Sequence, residues 1–192
     1  MPEPLRCFGA GDVLYEAYHD DEWGRPVRDD RLLFERLSLE AFQSGLAWIT
    51  ILRKREGFRA AFAGFAPDAV AALGDADVAR LMRDAGIVRN RRKIEATIAN
   101  ARALVALQAA GGSLTELVWS HRPPPRPAPR SFAEVPAATP ESKALAVALK
   151  AAGFRFIGPT TAYAAMQACG LVNDHLAGCV VRAATEAAQA AA

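Results

Sequence analysis

Apolar residues in this 192-residue chain recur at three- and four-residue spacing, and apolar–polar alternation is scarce. The pattern is clearest from Asn90 to about Ala109, where Ile94, Ile98, Ala101 and Val105 share one face of an amphipathic helix. Alanine and leucine, both strong helix formers, dominate elsewhere. The expected fold class is therefore all-α.

The punctuation divides this pattern into helices. Asp29 or Asp30 caps a helix through Leu33, Leu37 and Phe42, and Ser44-Gly45 interrupts it before Leu46 to Leu52. Pro67 opens a first turn, Asp75 is placed to cap Ala76 to Ala85, and Gly86 to end that helix in a left-handed conformation. Ser113-Leu-Thr-Glu116 has the form of a capping box. Seven of the twelve prolines fall between His121 and Pro140, which excludes a regular helix there. That segment reads as an extended connector within a single domain spanning residues 1–192. Thr139-Pro140 then starts a helix that stops at Gly153, and another runs from Thr160 to Cys169 before Gly170. The alanine-rich tail from Thr185 to Ala192 is expected to fray.

Just over half the residues are apolar, enough for a sizeable core. The net charge of +2 permits nucleic-acid binding without arguing for it. Three cysteines and no apolar leader argue against a disulfide framework and for a reducing compartment. No apolar run approaches the length of a membrane span. A soluble, cytoplasmic protein is expected.

Four groups of residues could carry chemistry. His175 and Cys179 stand four apart; on a helix they would share one face and reach one metal ion, with Cys7 and His19 as further candidate ligands. The alternative is a buried cysteine and a surface histidine. Tyr15, Tyr18, Trp23 and Trp48 crowd the first quarter together with Glu40; an aromatic pocket with one carboxylate suits a flat cationic ligand, although each ring could equally belong to the core. The stretch from Gly153 to Thr161 forms a tight turn between helices. Phe154, Gly158, Thr160 and Thr161 there could present backbone N–H groups to a phosphate. Finally, Arg53-Lys54-Arg55 and Arg89-Asn-Arg-Arg-Lys93 are basic clusters, ordinary as solvated helix faces but plausible as DNA contacts beside such a turn.

These residues converge on a resemblance. Leu14-Tyr-Glu-Ala-Tyr-His-Asp-Asp-Glu-Trp-Gly24, Leu39-Glu-Ala-Phe-Gln-Ser-Gly-Leu-Ala-Trp-Ile-Thr50, Asp84-Ala-Gly-Ile-Val-Arg89 and Gly153 through Cys179 are similar to stretches of the bacterial 3-methyladenine DNA glycosylase I family. The resemblance implies a helix-hairpin-helix glycosylase fold and a structural zinc ion bound by Cys7, His19, His175 and Cys179. It implies a base pocket of Tyr18, Glu40 and Trp48, with Tyr15 and Trp23 nearby. Two features stand out. Asn173 occupies the place where many superfamily members carry a catalytic Asp, a replacement that the family shares. The stretch after Cys7 is shorter than in relatives and lacks a Trp found there, leaving Phe8 as a partial replacement.

The implied reaction suits the missing Asp. Methylation at N3 makes adenine cationic, so the base leaves readily once the nucleotide is flipped out of double-stranded DNA. Trp48 is expected to stack on the base and Glu40, the assigned catalytic residue, to accept hydrogen bonds from its amino edge. Gln43 and Leu46 are candidates to wedge into the duplex. The product is an abasic site; no lysine suggests a lyase step, and a monomer is expected. The competing readings are a non-catalytic, zinc-stabilised DNA-binding module and a zinc hydrolase using His19 and Glu22.

Overall fold

The computed structural model describes residues 5–192. Among them are eleven α-helices and no strand: α1 (Val13–Asp21), α2 (Asp30–Gln43), α3 (Trp48–Arg53), α4 (Arg55–Ala61), α5 (Pro67–Ala71), α6 (Asp75–Leu81), α7 (Arg91–Ala109), α8 (Leu114–Trp119), α9 (Pro140–Ala151), α10 (Pro159–Ala168) and α11 (Arg182–Ala190).

Local chemistry sets most boundaries. Asp12, Asp29, Asn90, Ser113 and Thr139 each accept a backbone N–H from the first turn of the helix they precede. Pro67, Pro140 and Pro159 occupy first turns, where a missing N–H costs nothing. Helix α2 lies at the centre. It packs on α10, α8, α7 and α3, and buries Leu33, Phe34, Leu37 and Phe42. Phe42, Phe58, Phe62 and Phe65 form a chain of ring contacts 4.6–6.5 Å apart, with Phe34 against Phe65. Each buried ring contributes about 1.5–3 kcal/mol relative to exposure. A second, smaller apolar cluster unites Cys7, Tyr18, Trp23, Leu52, Ala168 and Cys179. It lies where the two ends of the chain meet.

That meeting is fixed by the C-terminal end of α10. Its last carbonyls would be unpaired; instead Gln167 and Cys169 accept the N–H groups of Gly24 and Val27 at 3.1 and 3.0 Å. Gly170, at φ +79°, ends the helix, and a Cβ there would sit 2.6 Å from backbone atoms of Arg25 and Pro26.

Several boundaries depart from the expected ones. Helix α6 is capped by Gly74, whose N–H donates to Asp77, rather than by Asp75, and it ends at Leu81. Gly86 is not left-handed. A Cβ there would sit 2.9 Å from Asp84 Oδ1, and the Gly86 carbonyl in turn leaves no room for a Cβ at Gly57, where one would lie 2.4 Å from its oxygen. The segment from His175 to Cys179 is a turn, not a helix. The proline-rich connector includes a 3-10 turn, Phe132–Glu134.

The tail does not fray as expected: residues 182–190 form α11, with Thr185 and Gln189 buried. Gln189 donates to the carbonyls of Gly24 and Val172 at 2.8 and 3.0 Å, and its own carbonyl accepts Arg122 at 2.7 Å. Tertiary hydrogen bonds override the weak cohesion of an isolated alanine helix. Gln189→Ala leaves two buried carbonyls without donors and is expected to cost about 1–3 kcal/mol, readable as a lowered melting temperature. A frayed tail would show no change.

Candidate active site

The aromatic residues of the first quarter come together around a cavity of about 310 Å³. Its walls include Phe8, Tyr15, Tyr18, Trp23, Glu40, Gln43 and Trp48, joined by Phe132, Val135, Thr160, Tyr163 and Gln167. Such a volume and an apolar lining are typical of a small-ligand site. Tyr15 and Tyr18 come from α1, and Tyr18 is fully enclosed, its ring centroid 5.2 Å from that of Trp48 at the start of α3. Phe8 stacks on Tyr15 at 4.8 Å and tilts against Trp23 at 4.8 Å, so it does enter the aromatic wall.

Glu40, on α2, is the carboxylate of this cavity. Only 6% of its surface is exposed, and no donor reaches it among the described residues. Burial pushes its carboxyl up to about 8, with the Arg36 guanidinium one turn earlier opposing that rise. Arg36 is itself held by Glu22, which also accepts Arg55. Glu22 is thus occupied by two guanidiniums and not available as a base. The indole N–H of Trp48 is buried without a partner. The cavity therefore offers one unpaired carboxyl within aromatic walls.

Behind the wall, Cys7, His19, His175 and Cys179 are all buried, and their ligand atoms lie within 4.8 Å of one another. His175 Nδ1 is 3.2 Å from His19 Nε2 and 3.6 and 3.4 Å from the sulfurs of Cys7 and Cys179; Cys179 Sγ is 3.4 Å from His19 Nε2. These are close to the edges of a tetrahedron around one metal ion, about 3.3–3.8 Å for metal–nitrogen and metal–sulfur bonds of usual length. The tautomers agree. With His19 donating Nδ1–H to Asp20 at 2.7 Å and His175 donating Nε2–H to the Trp23 carbonyl at 3.1 Å, the other ring nitrogen of each turns its lone pair to the cluster, where His19 Nε2 also accepts the Cys7 N–H at 3.1 Å. The Leu176 N–H donates to Cys7 Sγ. The four residues can hold a metal ion. Because His175 packs edge-on against Trp23 at 4.5 Å, the cluster also braces the cavity wall.

The helical hairpin joins α9 to α10 through Gly153, at φ +94°, and Phe156, at φ +64°. No side chain caps α10, whose exposed start is Gly158-Pro159-Thr160. Thr161 follows, half-buried. Phe154 differs from expectation: its ring is in the core and its N–H bonds the Leu149 carbonyl, so it presents nothing outward.

The loop after α2 exposes Leu46, and Gln43 Nε2 donates to the Leu46 carbonyl at 2.9 Å. Sequence reasoning missed what holds this loop. Lys93, in a run that read as a DNA-contacting cluster, is buried, and its ammonium donates to the carbonyls of Phe42 and Ser44 at 2.8 and 2.7 Å. The other cluster is also engaged: Arg53 pairs with Asp12, Lys54 with the Ala85 carbonyl and Arg55 with Glu22. Arg92 remains outward, 5.8 Å from the Phe156 ring at the hairpin. Asn173 faces away from the cavity chemistry, donating to the Arg182 carbonyl and accepting the His175 N–H. The connector residues Phe132 and Val135 are further wall residues that carried no motif.

Comparison with known proteins accords with this geometry. The sequence pattern of the methyladenine glycosylase family matches residues 8–183. The chain is 51% identical over 171 residues to DNA-3-methyladenine glycosylase 1 of Escherichia coli (strain K12), covering 88% of this chain and 91% of that protein. A crystal structure of 3-methyladenine DNA glycosylase I superposes with a TM-score of 0.89 at 50% identity, over 92% of this chain and 98% of that one. A Staphylococcus aureus 3-methyladenine DNA glycosylase I, solved to explain its recognition of 3-methyladenine, superposes with a TM-score of 0.86 at 35% identity, over 92% and 95%. An all-helical fold, an aromatic cavity with one buried carboxyl and a match across nearly the whole chain lead to one assignment: the chain belongs to the methyladenine glycosylase family.

Proposed function

We propose that this protein is a monofunctional DNA N-glycosylase that excises 3-methyladenine from double-stranded DNA in base excision repair. The observation that carries the reading is Glu40, a buried carboxyl with no protein donor in an aromatic cavity. Isolated burial of such a group is costly, and a cationic base with an exocyclic amino group would supply both charge and donors. A non-catalytic DNA-binding module has no use for it.

The damaged nucleotide flips into the cavity, and Trp48 stacks on the base with Tyr18, Tyr15 and Trp23 completing the walls. Glu40 accepts from the amino edge, and the cation favours its charged form. The bond between base and sugar breaks with its electron pair passing to the base, which becomes neutral. Water adds to the anomeric carbon and loses a proton, leaving an abasic site. The start of α10 at Gly158, Thr160 and Thr161 contacts the DNA backbone, and Gln43 and Leu46 occupy the space left in the duplex. Zinc is the ion proposed for Cys7, His19, His175 and Cys179; with four protein ligands its contribution is structural. The protein acts as a single-domain monomer in the cytoplasm. Among the described residues no helix is long and apolar enough to cross a membrane.

Purified protein is expected to release free 3-methyladenine from alkylated DNA, and failure to do so refutes the reading. Trp48→Ala removes stacking worth about 1–3 kcal/mol, so titration with the free base should show affinity lowered roughly tenfold or more. Metal analysis should find one zinc per chain, lost together with thermal stability in Cys179→Ala.

Glu40 also has a pH signature. Its folded-state value of about 8 lies above the ordinary 4.5, so the folded protein keeps a proton that the unfolded chain has released. Its contribution to stability is present below 4.5 and is lost as pH rises through about 8. Glu40→Gln, neutral throughout, should match the parent at acid pH and exceed it increasingly toward pH 8, by on the order of 1–3 kcal/mol. Melting curves with a pH-independent difference would contradict this.

A further inference from the structure

A second buried carboxylate lies behind the cavity, and the proposed chemistry does not use it. Asp174 is 5% exposed. Its Oδ1 accepts Arg126 Nη2 at 3.0 Å, and its Oδ2 accepts the Tyr163 hydroxyl at 2.5 Å and Gln167 Nε2 at 2.9 Å. Arg126 also donates to the Tyr163 hydroxyl oxygen. Both oxygens are committed, so Asp174 is not placed to activate water, although it adjoins the position of the superfamily's catalytic Asp. Tyr163 and Gln167 are one turn apart on α10, and both line the cavity.

This arrangement fixes the orientation of the Gln167 amide. A carboxylate paired with a guanidinium accepts only, so the amide must turn its NH₂ to Asp174. Its carbonyl oxygen is then the free end, without a partner among the described residues, on a side chain that faces the cavity. Glu40 cannot provide the same discrimination by itself. Against a neutral base its carboxyl can keep the proton that burial favours and donate as well as accept, so it tolerates an amino or an oxo substituent. An amide locked from behind can only accept.

We propose that Gln167 is a specificity-determining residue, the second acceptor for the exocyclic amino group of the flipped purine, and that Asp174 is the positioning residue that keeps its carbonyl turned toward the base. This rests on the function proposed above. A 6-amino purine offers two N–H donors, one for Glu40 and one for Gln167. A 6-oxo purine sets a lone pair against the Gln167 carbonyl, and sites that leave polar groups unpaired in this way discriminate strongly.

The test is titration of the full-length, zinc-loaded protein with 3-methyladenine and with 3-methylhypoxanthine, which exchanges the amino group at C6 for an oxo group and carries one ring N–H in addition. Gln167→Leu is expected to reduce the preference for the amino base at least about fivefold, the size of one hydrogen bond, through weaker 3-methyladenine binding. Asp174→Asn can donate as well as accept, which frees the amide to turn over. It should reduce the same preference, and have no further effect on the ratio once Gln167 is Leu. A purely structural Asp174 would lower the melting temperature and both affinities together, leaving their ratio unchanged. An unchanged ratio in folded Gln167→Leu overturns the inference, as does an Asp174→Asn effect on the ratio that persists beside Gln167→Leu. Failure of the parent protein to bind 3-methyladenine would instead overturn the function on which the inference rests.

Discussion

The structure depends on the closure of the chain's two ends upon each other. Cys7 and His19 meet His175 and Cys179 across more than 150 residues of sequence, and the same junction is stitched by backbone bonds from Gly24 and Val27 to the end of α10. Loop closure of that length is entropically costly, and a cation shared by two thiolates and two imidazoles would offset it. The junction also defines the cavity. Tyr18 and His19 are neighbours on α1, one pointing into the pocket and the other to the metal-binding cluster. Trp23 is gripped through its carbonyl by His175.

This frame sets two buried carboxyls, Glu40 in the cavity and Asp174 behind it, in opposite circumstances. Glu40 is buried among aromatic rings with no donor and is driven toward its neutral form. Asp174 is buried with three donors on its two oxygens. The first is left for a ligand to complete; the second is complete and serves its neighbours. Two buried carboxyls thus take different roles because their surroundings, not their chemistry, differ.

Much of this was legible beforehand where a residue's effect is local. Asp29, Ser113 and Thr139 cap the helices they precede because a side chain reaches the N–H three residues on. Where the cause was non-local, the reading failed. Gly86 looked like a helix stop but instead lays its carbonyl against Gly57, which has no room for a side chain. Lys93 looked like part of a basic face but turns inward to hold carbonyls some fifty residues earlier. The tail looked too weak to order, and alone it would be; Gln189 and Thr185 dock it.

The sequence by itself determined the helical class, most helix starts, the proline-rich interruption and, through long motifs, the family, because periodicity, capping and motif identity are properties of short stretches. Only the tertiary structure decided which groups are left without partners. That Glu40 lacks a donor, that Gln167 has a free carbonyl, that Phe154 faces the core and that Phe132 and Val135 wall the cavity all depend on what other segments bring alongside. Burial and hydrogen-bond satisfaction are sums over neighbours distant in the chain, and those sums exist only once the chain has closed.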